Sequence, residues 1–238
     1  MDESSAYGRR VADIRERIAA AARRGGRDPG AVTLLAVSKT FPAEAVRALA
    51  EAGQRAFAES YVQEAEAKQA ELADLSLDWH FIGPLQSNKA GRVATAFPWV
   101  HSVDRAKIAR ALDRHRTGQP PLDVCLQVNI SDEASKSGCA PEEAPALATR
   151  IRDECPHLRL RGLMAIPAPG ATSEESRPAF RRLAGLLAEL RETVPGPPWD
   201  TLSMGMSGDF EVAVEEGATH VRVGSALFGE RTYPGKTD

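Results

Sequence analysis

The sequence predicts an α/β fold, a single (β/α)8 TIM barrel preceded by an extra N-terminal helix. Three observations predict it. Eight short apolar runs recur with centres about 27 residues apart, the length of one strand plus one crossover helix. Amphipathic segments fill the seven intervals between them. No long Pro/Gly/Ser linker or low-complexity tract divides the chain, so one domain is expected over residues 1–238. A doubly wound open sheet shows the same alternation and stays open as the other architecture.

The elements follow in order. Residues 5–25 mix charges with Val11, Ile14 and Ile18, the spacing of an amphipathic helix. The apolar runs expected as strands are 32–37, 56–58, 79–82, 99–103, 124–130, 158–166, 201–206 and 221–228. Helix 42–52 opens on Pro42 and stops before Gly53, the usual asymmetry of helix ends. Helix 61–73 follows, with Ser60 and Gln63 spaced as a capping box. Ser87 and Asp104 are expected N-caps for the next two helices. Segment 141–154 begins at a proline, and Pro145 complicates its first turn. Segment 174–193 is the longest of the seven, and 209–216 is short and ends at Gly217. Residues 167–176 form a polar loop after a strand end, not a domain boundary.

Composition narrows the function classes. The 238 residues carry 30 Lys plus Arg against 33 Asp plus Glu, a formal charge of −3, and 42% are hydrophobic. That balance leaves no electrostatic footprint for nucleic acid. No apolar run approaches the roughly 20 residues needed to cross a bilayer, so no membrane partner is expected. The acidic start lacks the apolar stretch of a secretory signal. Cys125, Cys139 and Cys155 show neither a CxxC pair nor nearby paired histidines. They predict no disulfide framework and no zinc site, and the expected compartment is the reducing cytoplasm.

In a parallel barrel, chemistry collects where strands end and loops to helices begin. The first strand runs into Ser38-Lys39, and Lys39 alone of six lysines closes an apolar strand run. Near apolar walls a lysine loses its proton more readily, and a neutral amine can attack a carbonyl to form a Schiff base. A solvated strand-end lysine is the alternative. The seventh run leads through Gly205 and Ser207-Gly208-Asp209 into a helix start, and the eighth carries Gly224-Ser225. Small residues, hydroxyls and free N–H groups at two adjacent strand ends suit a phosphate. Two tight turns with incidental serines would look the same.

Arg222 alternates between Val221 and Val223 and is expected to be buried with partners, either in a structural ion pair or in a site. His80 and His101 sit among apolar neighbours and are expected as hydrogen-bonded core histidines. His115, His157 and His220 show no ligand spacing. Glu59 and Ser60 follow the second strand and could face the barrel mouth or cap the next helix.

Seven segments together resemble the YggS/PROSC-type pyridoxal phosphate (PLP) homeostasis proteins. They are 35–40, 61–64, 79–89, 129–131 with 135–138, 161–166, 203–207 and 221–229. The stretch Trp79-His80-Phe81-Ile82-Gly83-Pro84-Leu85-Gln86-Ser87-Asn88-Lys89 is the most specific. The resemblance implies a barrel like the N-terminal domain of alanine racemase, with PLP as cofactor held as an internal aldimine. It implies Lys39 as the Schiff-base lysine and Ser207, Gly208, Gly224 and Ser225 around the phosphate. It places Arg222 against the pyridine nitrogen, with Ser60 and Met164 also at the cofactor. Two departures stand out. Ser60 replaces an asparagine common in relatives, and Gly208-Asp209 stands where relatives often have an acidic residue directly after the serine.

A guanidinium beside the pyridine nitrogen disfavours its protonation, which weakens PLP as an electron sink. Racemases of this fold class add a second base from a separate C-terminal β-domain. Here the eighth run ends near Gly229, nine residues from the end, and no second domain is expected. Neither Tyr7, Tyr61 nor Tyr233 stands at a position that argues for that base. The expectation is therefore a PLP-binding homeostasis protein without robust catalysis. A low-activity amino-acid racemase and a PLP-independent binder of a phosphorylated metabolite are the alternatives. The resemblance also favours a monomer, with PLP-dependent apo-enzymes as conceivable recipients of the cofactor.

Overall fold

The computed structural model describes residues 3–131, 137–168 and 172–229. Eight parallel strands close into a barrel in sequence order: β1 (Thr33–Val37), β2 (Ala56–Glu59), β3 (Asp78–Phe81), β4 (Trp99–Val103), β5 (Leu122–Gln127), β6 (Leu158–Met164), β7 (Thr201–Ser203) and β8 (His220–Val223). Closure is direct, because β8 pairs back onto β1 with Leu35 opposite Arg222 and Ala36 opposite Val223. That pairing excludes the open sheet.

The helices are α1 (Glu3–Arg24), α2 (Ala43–Glu51), α3 (Val62–Glu71), α4 (Ala90–Ala96), α5 (Ala106–Arg114), α6 (Ala144–Glu154), α7 (Arg177–Thr193), α8 (Phe210–Glu215) and α9 (Ser225–Phe228). Strand alternation divides the apolar residues between two layers. Leu35, Val37, Ala56 and Ala58 pack inside the barrel with Ile82. Leu34, Ala36 and Phe57 face the helices and join the main core.

α1 buries Tyr7, Val11, Ile14, Ile18, Ala21 and Ala22, a stripe at helical spacing. It covers α8 and α9, with Arg17 paired to Glu211 and Arg24 to Glu215. Arg27 donates to the carbonyls of Val214 and Ala218 at 2.7 and 2.8 Å. The extra helix therefore braces the two short helices that follow the last strands. No helix among the described residues is long and apolar enough to cross a membrane, and the three cysteines are buried and free.

Several expected boundaries differ. The fifth run stops at Gln127, and Val128 makes only an isolated bridge to Cys139. The sixth stops at Met164 rather than 166. The seventh stops at Ser203, because Gly205 takes φ +91° and turns the chain. Residues 225–228 are helical rather than extended. Their apolar side chains point to α1 and the β1–α2 loop, where Phe228 stacks on Phe41 at 4.7 Å and meets Tyr7 edge-on. A short apolar run does not by itself distinguish strand from helix.

Three expected caps also fail. Tyr61, not Ser60, is the N-cap of α3 and makes no side-chain cap. Ser87 opens a 3₁₀ turn (Ser87–Lys89) ahead of α4. Arg105 caps α5, while the Asp104 carboxylate pairs with the Arg105 guanidinium. At Pro141 a 3₁₀ turn (Pro141–Glu143) precedes α6, as the second proline suggests. Residues 135–136 of the quoted Ser-Lys-Ser-Gly segment, residues 169–171 of the polar loop and Tyr233 lie outside the described residues.

Candidate functional site

The C-terminal ends of β1, β2, β3, β6, β7 and β8 surround a cavity of about 710 Å³. Its walls include Val37, Lys39, Ser60, Ile82, Ser207, Gly208, Arg222, Gly224 and Ser225. Seven of the eight residues expected at a cofactor are thus brought together from four separate stretches of chain. Met164 is the eighth and does not line the cavity. It is fully buried at the end of β6, two residues before Ile166, which does line it.

Leu35 and Val37 point inward at the end of β1, and Lys39, in the turn two residues on, lines the cavity and is half-buried rather than fully solvated. Ser38 and Glu59 point the other way, into the layer between barrel and α3. The Ser38 hydroxyl donates to Glu59 Oε1 at 2.6 Å. Of the two groups that could have faced the mouth, Ser60 does and Glu59 does not.

The Gly/Ser side of the cavity comes from the loops after β7 and β8. Gly205 must be glycine: a Cβ there would lie 2.6 Å from the Ala213 Cβ, at a positive φ. The backbone N–H groups of Gly224 and Ala226 both point at Ser207 Oγ, at 3.3 and 3.4 Å. Asp209 is turned away. Its carboxylate accepts the Met206 N–H at 2.7 Å and the Ser176 hydroxyl at 3.0 Å, which shapes the loop, and it does not line the cavity. Gly83 closes the opposite wall, where a Cβ would lie 2.1 Å from the Ser60 carbonyl oxygen.

Arg222 is 3% exposed and forms no ion pair among the described residues. Its Nη1 donates to Ser203 Oγ at 2.8 Å and its Nη2 to the Ala165 carbonyl at 2.9 Å. Burial without a carboxylate partner lowers its pKa to about 10, which still leaves it cationic near neutrality. Among the described residues that line the cavity two are basic and none is acidic, on a chain whose net charge is −3.

Beneath the cavity the barrel interior is polar. Ser203 Oγ lies 2.8 Å from His101 Nδ1, His101 Nε2 lies 2.9 Å from His80 Nδ1, and His80 Nε2 lies 3.3 Å from Asp78. With one proton per link the direction follows from the ends. Arg222 only donates and Asp78 only accepts, so Ser203 donates to His101, His101 to His80, and His80 to Asp78. Both histidines are hydrogen-bonded core residues, as expected. His220 joins them, its ring 5.8 Å from each of the other two. Sequence spacing hid this cluster because its members lie on three different strands.

The cluster has a pH consequence. Burial first, then neighbouring histidines, hold His101 well below the usual imidazole range and His220 down at about 3. An unfolded chain binds these protons near 6.5, the ordinary imidazole value, whereas the folded chain does not. Their contribution is complete above pH 6.5 and is lost as pH falls from there toward about 3. Melting temperature should therefore fall steadily below pH 6.5, and His220→Gln should make that fall shallower. Parallel melting curves for the two proteins across that range would show that His220 titrates normally.

Fold and site together define a class: a (β/α)8 barrel with a lysine, a buried guanidinium and two Ser/Gly strand ends around a cavity at its C-terminal mouth. The sequence profile of the alanine racemase N-terminal domain matches residues 10–232. The chain is 59% identical to the pyridoxal phosphate homeostasis protein of Pseudomonas aeruginosa over 224 residues, covering 94% of this chain and 95% of the relative. It is 49% identical to the Escherichia coli K12 protein of the same name, covering 95% and 97%. Among solved structures, Synechococcus elongatus PipY with PLP bound is 40% identical with a TM-score of 0.80, covering 94% of this chain and all of that one. Alanine racemase of Corynebacterium glutamicum, at 18% identity and TM-score 0.64 over 94% of this chain and 62% of that one, shares the fold. The chain belongs to the alanine racemase N-terminal domain family, and within it to the pyridoxal phosphate homeostasis proteins.

Proposed function

We propose that this protein binds PLP reversibly in the barrel-mouth cavity, with Lys39 as the capturing amine, and serves PLP and amino-acid homeostasis without robust catalysis. One observation carries the reading: an inward lysine, a buried guanidinium and Ser/Gly strand ends share one cavity with no acidic residue among the described residues that line it.

The donor set fits the cofactor. Ser207, Gly208, Gly224 and Ser225 offer hydroxyls and backbone N–H groups to a phosphate. Val37, Ile82, Ile166 and Met206 offer apolar contact to a ring, and Arg222 takes the ring nitrogen. When bound, PLP supplies an electrophilic aldehyde carbon. Lys39 Nζ, in its neutral form, attacks that carbon; the C–N bond forms and the carbonyl oxygen leaves as water. Hydrolysis reverses the step, so capture is covalent yet reversible. Arg222 keeps positive charge at the ring end, which opposes protonation there and weakens carbanion chemistry. That combination suits holding an aldehyde more than turning over an amino acid.

Absorbance of the protein mixed with PLP, followed by borohydride reduction and peptide mass spectrometry, tests the reading. A visible band and a reduced adduct on Lys39 are expected; a colourless protein, or an adduct elsewhere, would overturn it. The Ser207→Ala/Ser225→Ala protein should retain PLP about tenfold or more less well, since hydrogen bonds to charged groups are worth roughly 1.5–3 kcal/mol each. Equilibrium dialysis measures this, and unchanged retention would place the phosphate elsewhere.

One observation favours a second reading, a low-activity amino-acid racemase. Tyr61 lines the cavity and is 55% exposed, so a phenol does stand at the site. Its place before α3 hid this, because the position reads as a helix start. Solvent deuterium entering Cα of an amino acid, and lost in both Lys39→Ala and Tyr61→Phe, would support the enzyme. PLP-dependent apo-enzymes are the recipients this reading suggests, and a monomer is the state the family resemblance favours.

A further inference from the structure

Behind Lys39, on the outer face of the barrel wall, lies a buried ion cluster that the cavity does not include. Lys68 projects from α3 with its side chain 6% exposed. Its Nζ donates to Glu59 Oε1 at 2.7 Å, to Glu64 Oε1 at 2.6 Å and to the Ser38 carbonyl at 2.7 Å. Three acceptors use all three ammonium protons. The acceptors are tied in turn to the backbone around Lys39. The Ser38 hydroxyl donates to Glu59, and the Thr40 N–H donates to Glu64 Oε1 at 2.5 Å.

Both neighbours of Lys39 are therefore held. Thr40 needs holding, because it is a β-branched residue at φ +70°, a left-handed conformation that costs energy without Gly. Released, it would relax to negative φ and re-aim the peptide that follows Lys39. Stability alone does not account for the cluster. Glu59 is fully buried, its second oxygen has no hydrogen-bond partner among the described residues, and an apolar plug of equal volume would commonly be as stable.

We propose that Lys68, with Glu59 and Glu64, is a positioning latch that fixes the Ser38–Thr40 turn so that Lys39 points into the cavity. The inference deepens the reading of Lys39 as the amine that captures PLP, and rests on it.

Two variants test the latch. Glu64→Ala cuts the Thr40 tether but leaves Lys68 paired with Glu59. Glu59→Gln/Lys68→Met removes two opposite charges together, leaving no lone buried lysine. Amide exchange at Thr40 is read in the PLP-free protein, and release of PLP in the loaded protein. Glu64→Ala should speed Thr40 exchange about tenfold, with exchange in β1 unchanged. Both variants should release PLP about tenfold faster while the melting temperature of Glu64→Ala stays near that of wild type. Wild-type release in both variants, or unchanged Thr40 exchange in Glu64→Ala, would overturn the proposal. So would release that rises only in step with a falling melting temperature, which would make the cluster purely structural. A wild-type protein that takes up no PLP would instead overturn the functional reading, and Thr40 exchange would still decide whether the latch exists.

Discussion

Lys39→Ala should give a folded protein that stays colourless with PLP and yields no reduced adduct. Lys39 is half-buried at the end of β1, so its loss removes an amine without opening the core. The melting temperature of the PLP-free variant should match that of wild type within a few degrees. What disappears is the one bond that makes retention covalent. The cradle from Ser207 to Ser225 and the Arg222 guanidinium stay in place, so weak non-covalent binding should persist. A loss of at least about 100-fold in retention, roughly 3 kcal/mol, is the expected scale. Dialysis followed by absorbance measures it. Wild-type colour in Lys39→Ala would move the covalent site to another lysine.

Arg222 carries the second large effect. Its guanidinium adds positive charge to the cavity wall, and beside the pyridine nitrogen, where the proposed function places it, that charge lowers the nitrogen's affinity for a proton. Arg222→Gln removes that charge while an amide can still reach Ser203 or the Ala165 carbonyl. The pH at which bound PLP changes its visible band should then rise by about one unit or more. Arg222→Glu should move it further in the same direction. It should also destabilise the fold by about 3 kcal/mol or more, because it buries a carboxylate where two acceptors already stand. Spectrophotometric titration measures the first effect and thermal melting the second. An unmoved titration in Arg222→Gln would show that the guanidinium does not act on the ring. A melting temperature for Arg222→Glu equal to that of wild type would mean that water reaches the position.

Much of this site was legible before the fold was known, because the chemistry concentrates in unusual residues. Lys39 is a lysine on an apolar strand in a chain that otherwise prefers arginine, and Arg222 is a charge between two valines. Gly205, Ser207, Gly224 and Ser225 mark two strand ends where backbone must approach something closely. Such residues are costly where they stand, and the cost is visible in the pattern.

Other features were hidden for equally physical reasons. The Lys68 cluster joins α3 to residues on β2 and in the β1–α2 turn, and each member alone reads as a surface charge on a helix or a strand end. Glu59 reads as a mouth residue until alternation is counted from Leu35 and Val37. Met164 belongs to a quoted segment yet is buried and does not line the cavity. Tyr61 sits where a cap was expected. The helix over residues 225–228 was disguised by an apolar run whose partners, Phe41 and Tyr7, lie about 190 and 220 residues away in sequence.

Periodicity and local chemistry were enough for the alternation of strands and helices, and for picking out Lys39, Arg222 and the Gly/Ser strand ends as candidates. Those properties depend on neighbours a few residues apart. Closure of β8 onto β1, the charge balance of the cavity and the chain of donors from Arg222 to Asp78 required the folded chain. Each depends on which distant strands become neighbours, and hydrogen bonds and charges act over a few ångströms of space however far apart their owners lie in sequence.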